Sequence, residues 1–160
     1  MITLLCHLEP RTESPGTIIY RTIEEVDEVF FIEKGSIDIG FEMNRDTRFI
    51  IRLKQGNVIG IYNMTFNCKT LFVYQVKDTY CGLTIRKDNW NSLMNNEEYE
   101  DITGYIKEKV ATEYNNKIKK IMIMEQKKYV NRLKMRKDQV QVMSLINLET
   151  EVPELKVSEQ

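Results

Sequence analysis

The chain has 160 residues, of which 42% are hydrophobic and 29% are charged, and this composition excludes an intrinsically disordered chain. Its net charge of −1 conceals an acidic body, a basic arm and an acidic tail: residues 1–106 carry 11 basic and 16 acidic side chains, residues 107–137 carry 11 and 3, and residues 138–160 carry 1 and 5. No run of residues approaches the roughly 20 apolar residues that a membrane-spanning helix needs.

The cysteines and the first ten residues bear on the compartment. Cys6, Cys68 and Cys81 are odd in number and have neither a paired nor a metal-like spacing, so we expect a reducing compartment. The opening MITLLCHLEP has no basic segment and too short an apolar run for a secretory signal. The expected location is the cytoplasm, or the cytosolic face of a membrane protein whose membrane part lies elsewhere.

Residues 9–86 predict β structure. They contain short runs rich in β-branched and aromatic residues: TIIYRTI, EVFFIEKG, SIDIGFEM, TRFIIRLKQG, TLFVYQV and YCGLTI. In SIDIGFEM the alternation places Ile37 and Ile39 on one face and Ser36 and Asp38 on the other. Turn signals separate the runs: Pro15-Gly16, Lys34-Gly35, Asn44-Arg45-Asp46, Gln55-Gly56-Asn57 and Lys77-Asp78. Strands at this spacing indicate a sandwich, a barrel or a roll.

Near Arg86 the pattern becomes helical. RKDNWNSLMNN predicts a short helix that ends at Asn95-Asn96 and carries Trp90, Leu93 and Met94 on one face. A long helix follows, with an i+4 stripe of Ile102, Ile106, Val110, Tyr114 and Ile118. Such a stripe drifts about 40° per step, so we expect its first turns to pack on the β body and its later turns to face something else.

The expected organisation has three parts and an α+β fold. A β-roll with a short helix covers residues 1–96, a long basic helix covers residues 97–140, and an apolar segment with an acidic tail covers residues 141–160. The segment VQVMSLINLETEVPEL predicts either a short apolar strand or the end of a helix. The acidic end after Pro153 is expected to be a disordered tail.

Three stretches in order, LEPRTESPGTII, DEVFFIEKGSIDI and GNVIG, carry a family resemblance. They supply a Pro-Gly turn before a strand, an aromatic-rich strand that ends in a glycine turn, and a glycine pair, Gly56 and Gly60, before the next segment. From about Leu4 to Met94, and on into the helices, the chain resembles the cyclic nucleotide-binding domain of kinase regulatory subunits, bacterial transcription regulators and cation channels. The resemblance implies an antiparallel jelly-roll-like β-roll, a short and a long C-terminal helix, and a ligand pocket at Gly60, Ile61, Tyr62, Asn63, Lys69, Thr70 and Leu71.

The phosphate-binding cassette that the resemblance implies departs from the family pattern. In members that bind cAMP or cGMP, a Glu after the second glycine bonds the ribose, and an Arg ten positions after that glycine pairs with the cyclic phosphate. Here these positions hold Ile61 and Thr70, with Lys69 one residue away. A buried charge that loses its partner costs about 3–5 kcal/mol. Although the loop and short helix would still offer an anion nest of N–H groups, we expect no ordinary cyclic nucleotide binding and no cofactor.

A possible self-ligand follows the long helix. Channel members related to the ether-à-go-go channels do not depend on cyclic nucleotides, and a segment with an aromatic residue followed by Asn-Leu fills their own pocket. Ile146-Asn147-Leu148 matches two of these three residues. The alternative is an ordinary helix C-terminus.

No catalytic or metal site is predicted. The motifs G-x-S-x-G, the P-loop and H-E-x-x-H are absent, and His7, the only histidine, has no neighbouring Cys, Asp or Ser constellation. The basic stretch from Lys107 to Lys137 suits calmodulin, an anionic membrane surface, or an acidic chain or RNA. Nucleic acid is the least favoured, because no recognition-helix module follows the roll and no aromatic residues alternate with the basic ones. The plain alternative is a solvated helix face or one that pairs with another copy.

The function that these patterns favour is a non-enzymatic regulatory domain, most like those of cation channels. In the family that the chain resembles, the helix after the roll moves as a lid when the pocket fills. The resemblance therefore implies that the long helix is the lid and output element, and we expect its basic half to contact a neighbouring subunit or another protein chain. One alternative is a scaffold or docking module in a multiprotein assembly. Another is a true cyclic nucleotide sensor with a non-standard pocket. A native start at Met1 would favour the scaffold, and a fragment would favour the channel.

Overall fold

The computed structural model describes residues 5–43 and 46–150, with side chains described through residue 136. In this part of the chain, one antiparallel sheet contains six strands: β1 (Glu9–Glu13), β2 (Ile18–Tyr20), β3 (Glu28–Met43), β4 (Asp46–Lys54), β5 (Val58–Ile59) and β6 (Val73–Arg86). The strand order is β1-β6-β3-β4, with β2 also paired to β6 and β5 also paired to β3. The two longest strands, β3 and β6, are therefore neighbours at the centre of the sheet.

Both faces of β3 are covered. Ile37 and Ile39 are fully buried on the face that the alternation predicts. Ser36 and Asp38, on the other face, are also buried, and hydrogen bonds satisfy them. The Ser36 hydroxyl donates to the Asp78 carboxylate. The Arg52 guanidinium donates to both oxygens of Asp38, from Nε over 2.6 Å and from Nη2 over 2.9 Å. This bidentate pair keeps the buried carboxylate from being left without a partner.

Two predicted turns are wrong. Lys34-Gly35 lies inside β3 and Lys77-Asp78 lies inside β6, and both strands continue through them. Gly35 has φ of +88° and the pairing register shifts on both sides of it, so this glycine forms a bulge in a continuous strand. A glycine with positive φ serves a turn and a bulge equally well, and the sequence pattern cannot separate the two.

The helices follow the predicted order. They are α1 (Ile61–Thr65) before β6, then α2 (Lys87–Met94), a 3₁₀ turn (Glu97–Tyr99), α3 (Glu100–Glu113), a π-helical turn (Tyr114–Lys119) and α4 (Lys120–Thr150). The predicted break after α2 is confirmed: the Asn96 side chain accepts a hydrogen bond from the Glu98 N–H over 3.0 Å and caps the 3₁₀ turn. For residues 140–150 the sequence allowed either a short strand or the end of a helix, and these residues belong to α4. Pro153 and the acidic end lie outside the described residues.

The sheet followed by C-terminal helices confirms the predicted α+β fold. The backbone contacts divide the chain into two compact units, Met1–Ile123 and Met124–Gln160. No helix in the described part of the chain combines the length and the hydropathy that a membrane crossing requires.

The Gly35 bulge allows a matched test of the β3–β6 contact. Gly35 and Gly16 have nearly equal positive φ, +88° and +89°, but a Cβ at Gly35 would lie 2.2 Å from the Thr79 carbonyl oxygen, whereas a Cβ at Gly16 would meet nothing within 4 Å. Gly16→Ala should therefore cost only the left-handed backbone penalty, about 1–2 kcal/mol. Gly35→Ala should add about 1–3 kcal/mol of overpacking to that penalty.

Urea unfolding followed by circular dichroism would measure both free energies of unfolding. Equal losses of stability in Gly16→Ala and Gly35→Ala would contradict the close approach of the two central strands.

Candidate ligand-binding cavity

A cavity of about 440 Å³ lies in the unit that ends at Ile123. Its wall comes from the end of β4 and the turn into β5, from the start of α1, and from one face of α3 and the π-helical turn. Much of the lining is aliphatic, with contributions from Leu53, Val58, Ile59, Ile106, Val110 and Ile118. Small-molecule sites have volumes of about 300–1,000 Å³ and mostly apolar linings, so the space suits a small ligand.

Gly60 directs the chain from β5 into α1 at the cavity wall. Its φ is +81°, and a Cβ there would lie 2.7 Å from the Glu28 carbonyl oxygen at the start of β3. Its carbonyl oxygen accepts the hydrogen bond from the Met64 N–H over 3.0 Å, which closes the first turn of α1. Only glycine fits this position without a shift of β3, so the glycine has a backbone reason independent of any ligand.

Tyr62 and Tyr114 join the two sides of the cavity. Their rings are parallel to within 6° and their centroids are 3.8 Å apart. Tyr114 is only 6% exposed, and it is the first residue of the π-helical turn. Phe66 extends the aromatic contact, with its ring centroid 4.9 Å from that of Tyr62. This stack attaches the π-helical turn to α1.

The apolar stripe contacts the body later than predicted. Ile102 is 59% exposed, so the expectation that the first turn of the stripe packs on the β body is wrong. Contact with the cavity begins at Ile106 and continues through Val110, Tyr114 and Ile118. Thr103 is buried in place of Ile102. Because an i+4 stripe drifts around an α-helix, its first member and its later members cannot all face the same neighbour.

The predicted pocket residues fall into two groups. Gly60, Ile61, Tyr62 and Asn63 line the cavity. Lys69, Thr70 and Leu71 do not belong to its lining. Lys69 and Leu71 are exposed, whereas Thr70 is fully buried.

Internal hydrogen bonds occupy the Thr70 hydroxyl. It donates to the Phe72 carbonyl oxygen over 3.0 Å and accepts from the Phe72 N–H over 3.2 Å. The Thr70 backbone pairs with the turn before β3, through its N–H to the Glu24 carbonyl oxygen at 3.0 Å and its carbonyl oxygen to the Ile23 N–H at 2.8 Å. Thr70 thus contributes to the fold as a buried neutral residue.

Asn63 is likewise occupied by its own loop. Its side-chain Nδ2 donates to the Cys68 carbonyl oxygen over 3.2 Å and to the Lys69 carbonyl oxygen over 3.0 Å. The Asn63 carbonyl oxygen accepts from the Cys68 N–H over 2.9 Å. These bonds hold the segment after α1 against the helix, so the buried Asn63 amide has a structural role.

The charged residues of the described lining are Lys109, Glu113 and Lys117, and all three are exposed. Lys117 Nζ lies 3.6 Å from Glu113 Oε1, and Lys109 Nζ lies 5.9 Å from the centroid of the Tyr105 ring. The charges are therefore at the mouth of the cavity. The predicted pocket residues were those of α1 and the turn before β6. The lining residues of this helical wall were therefore not predicted, although the family resemblance implied a lid helix and the i+4 stripe contained the apolar members.

Other predicted features lie away from the cavity or outside the description. Ile146, Asn147 and Leu148 are part of α4, but their side chains lie outside the described residues, so the self-ligand remains a prediction. His7 is half-buried and does not line the cavity. Among the described residues, no group of three His, Cys, Asp or Glu side chains is placed to hold a metal ion.

Comparisons with known proteins show the fold. No family model matches the chain, and no curated protein matches it. Among solved structures, the regulatory domain of Toxoplasma gondii PKA, solved with cAMP, is similar with a TM-score of 0.54 at 11% identity, over 57% of this chain and 35% of that chain. This chain has the cyclic nucleotide-binding fold.

Two further structures agree. The regulatory subunit of a cAMP-independent protein kinase A from Trypanosoma brucei has a TM-score of 0.55 at 15% identity, over 69% of this chain and 36% of that chain. A putative cyclic nucleotide-binding protein from Geobacter metallireducens has a TM-score of 0.55 at 11% identity, over 67% of this chain and 76% of that chain. The chain thus spans about a third of the two kinase regulatory proteins.

Substitution of Tyr114 should test the contact between the helical segment and α1. Tyr114→Ala removes a buried ring and should cost about 3–5 kcal/mol. Tyr105→Ala, on the same helical segment, removes a ring that is 63% exposed and should change stability by no more than about 0.5 kcal/mol. Tyr114→Phe keeps the stack and should remain close to the parent chain. Urea unfolding measures all three, and equal effects of Tyr114→Ala and Tyr105→Ala would contradict the stack.

Because they are buried, four tyrosines should lose their protons only at a higher pH than exposed tyrosines do. Burial raises the pKa of Tyr114 and that of Tyr74, both of which line the cavity, and the pKa values of Tyr20 and Tyr80 are raised for the same reason. Because the folded state holds these protons more tightly than the unfolded chain, their contribution to stability is present below the ordinary tyrosine pKa of about 10 and is lost as the pH rises above it.

Near-ultraviolet absorbance of tyrosinate would check this expectation. At about pH 11 the folded protein should show the ionisation of only part of its eight tyrosines, whereas the chain in urea should show nearly all of them. Full ionisation of the folded protein at that pH, with its circular dichroism unchanged, would contradict the burial.

Proposed function

We propose that this chain is a non-enzymatic regulatory domain of the cyclic nucleotide-binding type that has lost ordinary binding of cAMP and cGMP. One observation carries the proposal. Among the described residues, no basic side chain lies on the interior wall of the cavity, because its charged lining residues are exposed at the mouth. Ile61 and Thr70 stand at the positions that the family resemblance assigns to the ribose and the phosphate.

The energetics of a cyclic phosphate support this proposal. A desolvated phosphate needs charge-assisted hydrogen bonds, ideally bidentate ones. Thr70 is neutral and its hydroxyl is already bonded to Phe72. Lys69 is exposed and outside the lining. Without a partner the buried charge would cost about 3–5 kcal/mol, which corresponds to a loss of about two to three and a half orders of magnitude in affinity.

The output of the domain is proposed to be the helical segment after the roll. The Tyr62–Tyr114 stack ties α1, at the cavity wall, to the π-helical turn, so a change in the contents of the cavity would act on the start of α4. The basic stretch of residues 107–137 would contact a neighbouring subunit or another protein chain, and calmodulin is a candidate because the stretch is basic and contains Ile and Met anchors.

The relation to cation channels is part of the same proposal. It follows from the family resemblance, since channel members exist that do not depend on cyclic nucleotides. One structural neighbour is described as the regulatory subunit of a cAMP-independent kinase, which supports the idea that this fold can regulate without cAMP. In this proposal any contact with a membrane would come from other parts of a longer protein.

A scaffold or docking module is the second candidate. The exposure of Ile102 at 59% and of Tyr105 at 63%, three residues apart on α3, favours it, because these side chains lie on neighbouring positions of one helix surface. Chains that pair through this surface should dissociate when both residues are changed to serine, as measured by sedimentation velocity. A monomeric parent chain would remove this support for the scaffold.

Isothermal titration with cAMP and with cGMP tests the main proposal. We expect no saturable heat with either ligand up to about 100 µM, because the phosphate would lack a charged partner. The Toxoplasma regulatory domain that was solved with cAMP provides a positive control. Saturable micromolar binding of either nucleotide would overturn the proposed loss and would favour the alternative of a sensor with a non-standard pocket.

A further inference from the structure

The polar groups of the cavity interior are largely committed to the protein itself. The amide Nδ2 of Asn63 is shared between two carbonyl oxygens of the loop after α1. At the exposed rim, the Asn57 amide Nδ2 likewise donates to the Lys54 carbonyl oxygen, over 2.9 Å. Among the described residues, the buried part of the lining offers a ligand only neutral groups, such as the tyrosine hydroxyls, so a charged group on the ligand would lose its hydration without gaining an ionic partner.

The charges at the mouth do not change this conclusion. Lys117 already pairs with Glu113, and the acidic member of this pair would repel an anion that approached along the same helix face. Lys109 lies one turn before Glu113 and is exposed. Long, exposed side chains interact weakly because water screens them, so the mouth cannot hold an anion as a buried cation would.

Aromatic rings form the polarisable part of the wall. Tyr62, Tyr74 and Tyr114 all line the cavity, and Tyr74 and Tyr114 are buried. Aromatic rings attract other rings in offset-stacked or edge-to-face arrangements, at about 0.5–1.5 kcal/mol beyond the area buried. The aliphatic lining residues of β4, β5 and α3 would stabilise a bound ligand in proportion to the apolar surface that it buries.

We propose that the cavity binds an uncharged, flat aromatic molecule in contact with the three tyrosines, and that it discriminates against the same molecule when it carries a negative charge. This deepens the proposed function, because it names the ligand class of the same cavity. The two proposals can be tested separately, because a domain that does not bind cyclic nucleotides can have either an occupied or an unused cavity.

Two fluorescent probes differ in the property that matters. N-phenyl-1-naphthylamine is uncharged and contains a flat naphthalene ring, and 1-anilinonaphthalene-8-sulfonate is the same ring system with one sulfonate. Both fluoresce strongly only in an apolar environment. With the complete chain, the uncharged probe should bind saturably at one site and at least about tenfold more tightly than the sulfonate, since a tenfold difference corresponds to 1.4 kcal/mol and a buried unpaired charge costs more.

Two isoleucines of α3, one turn apart, supply a matched pair of variants. Ile106 lines the cavity and Ile102 is exposed. Ile106→Trp puts a larger ring into the space and should weaken the uncharged probe by about tenfold or more, whereas Ile102→Trp should change its affinity by less than about twofold. If Ile106→Trp fails to fold by circular dichroism, Val110→Phe serves in its place, because Val110 also lines the cavity.

Three results would overturn the proposal. The first is an absence of saturable binding of the uncharged probe. The second is an equal response of Ile106→Trp and Ile102→Trp, which would place the probe elsewhere. The third is tighter binding of the sulfonate that Lys109→Gln or Lys117→Gln removes, which would indicate an amphipathic anion held at the mouth. None of these outcomes alters the cAMP titration, so failure here and failure of the proposed function remain distinguishable.

Discussion

The stack of Tyr62 on Tyr114 fixes where the π-helical turn meets α1 of the β-roll. With ring centroids 3.8 Å apart, it leaves the π-helical turn no freedom to rotate without breaking the contact. The turn is wider than an α-helix, so it counteracts the drift of the i+4 stripe and keeps Ile118 on the cavity side after Tyr114. The cavity is the space that remains between α3 and the β4–β5 turn when this contact is made. The aromatic pair thus closes one side of the cavity.

The polar groups of the buried Thr70 are satisfied within the roll itself. Thr70 is fully buried, its hydroxyl bonds to Phe72, and its backbone pairs with the turn before β3. A guanidinium at this place would be a buried charge that needs a ligand phosphate for a partner, and in the ligand-free state it would cost several kcal/mol. A neutral residue with internal hydrogen bonds removes that cost. Thr70 therefore stabilises the roll through its own hydrogen bonds, without any ligand.

Much of the fold could be predicted from the sequence, because neighbouring residues carry the signals. Runs of β-branched and aromatic residues indicate strands, and apolar residues at helical spacing indicate helices. The burial of Ile37 and Ile39 followed from alternation, and the end of α2 followed from Asn95-Asn96. The continuity of β3 and β6 could not be predicted, because only the partner strand decides whether Gly35 makes a turn or a bulge. In the site, Gly60 through Asn63 were implied by the family resemblance, and they line the cavity. The opposite wall was missed because pairing of Tyr62 with Tyr114 joins residues 52 positions apart, and no local pattern encodes such a contact.

A ligand in the cavity and a partner on the basic stretch could influence each other either through electrostatics or through packing, and salt would weaken only the electrostatic route. Lys109 and Lys117 belong both to the mouth of the cavity and to the basic residues 107–137. A partner that neutralised this stretch would change the potential at the mouth, and an anionic ligand would respond to that change, with the response lost at high salt. An uncharged ligand would be indifferent to the potential. Its coupling to a partner must then pass through packing, from the cavity wall through Tyr62 to Tyr114, and should persist at high salt. Because coupling between two sites is reciprocal, the salt dependence of either binding event reports which route the domain uses.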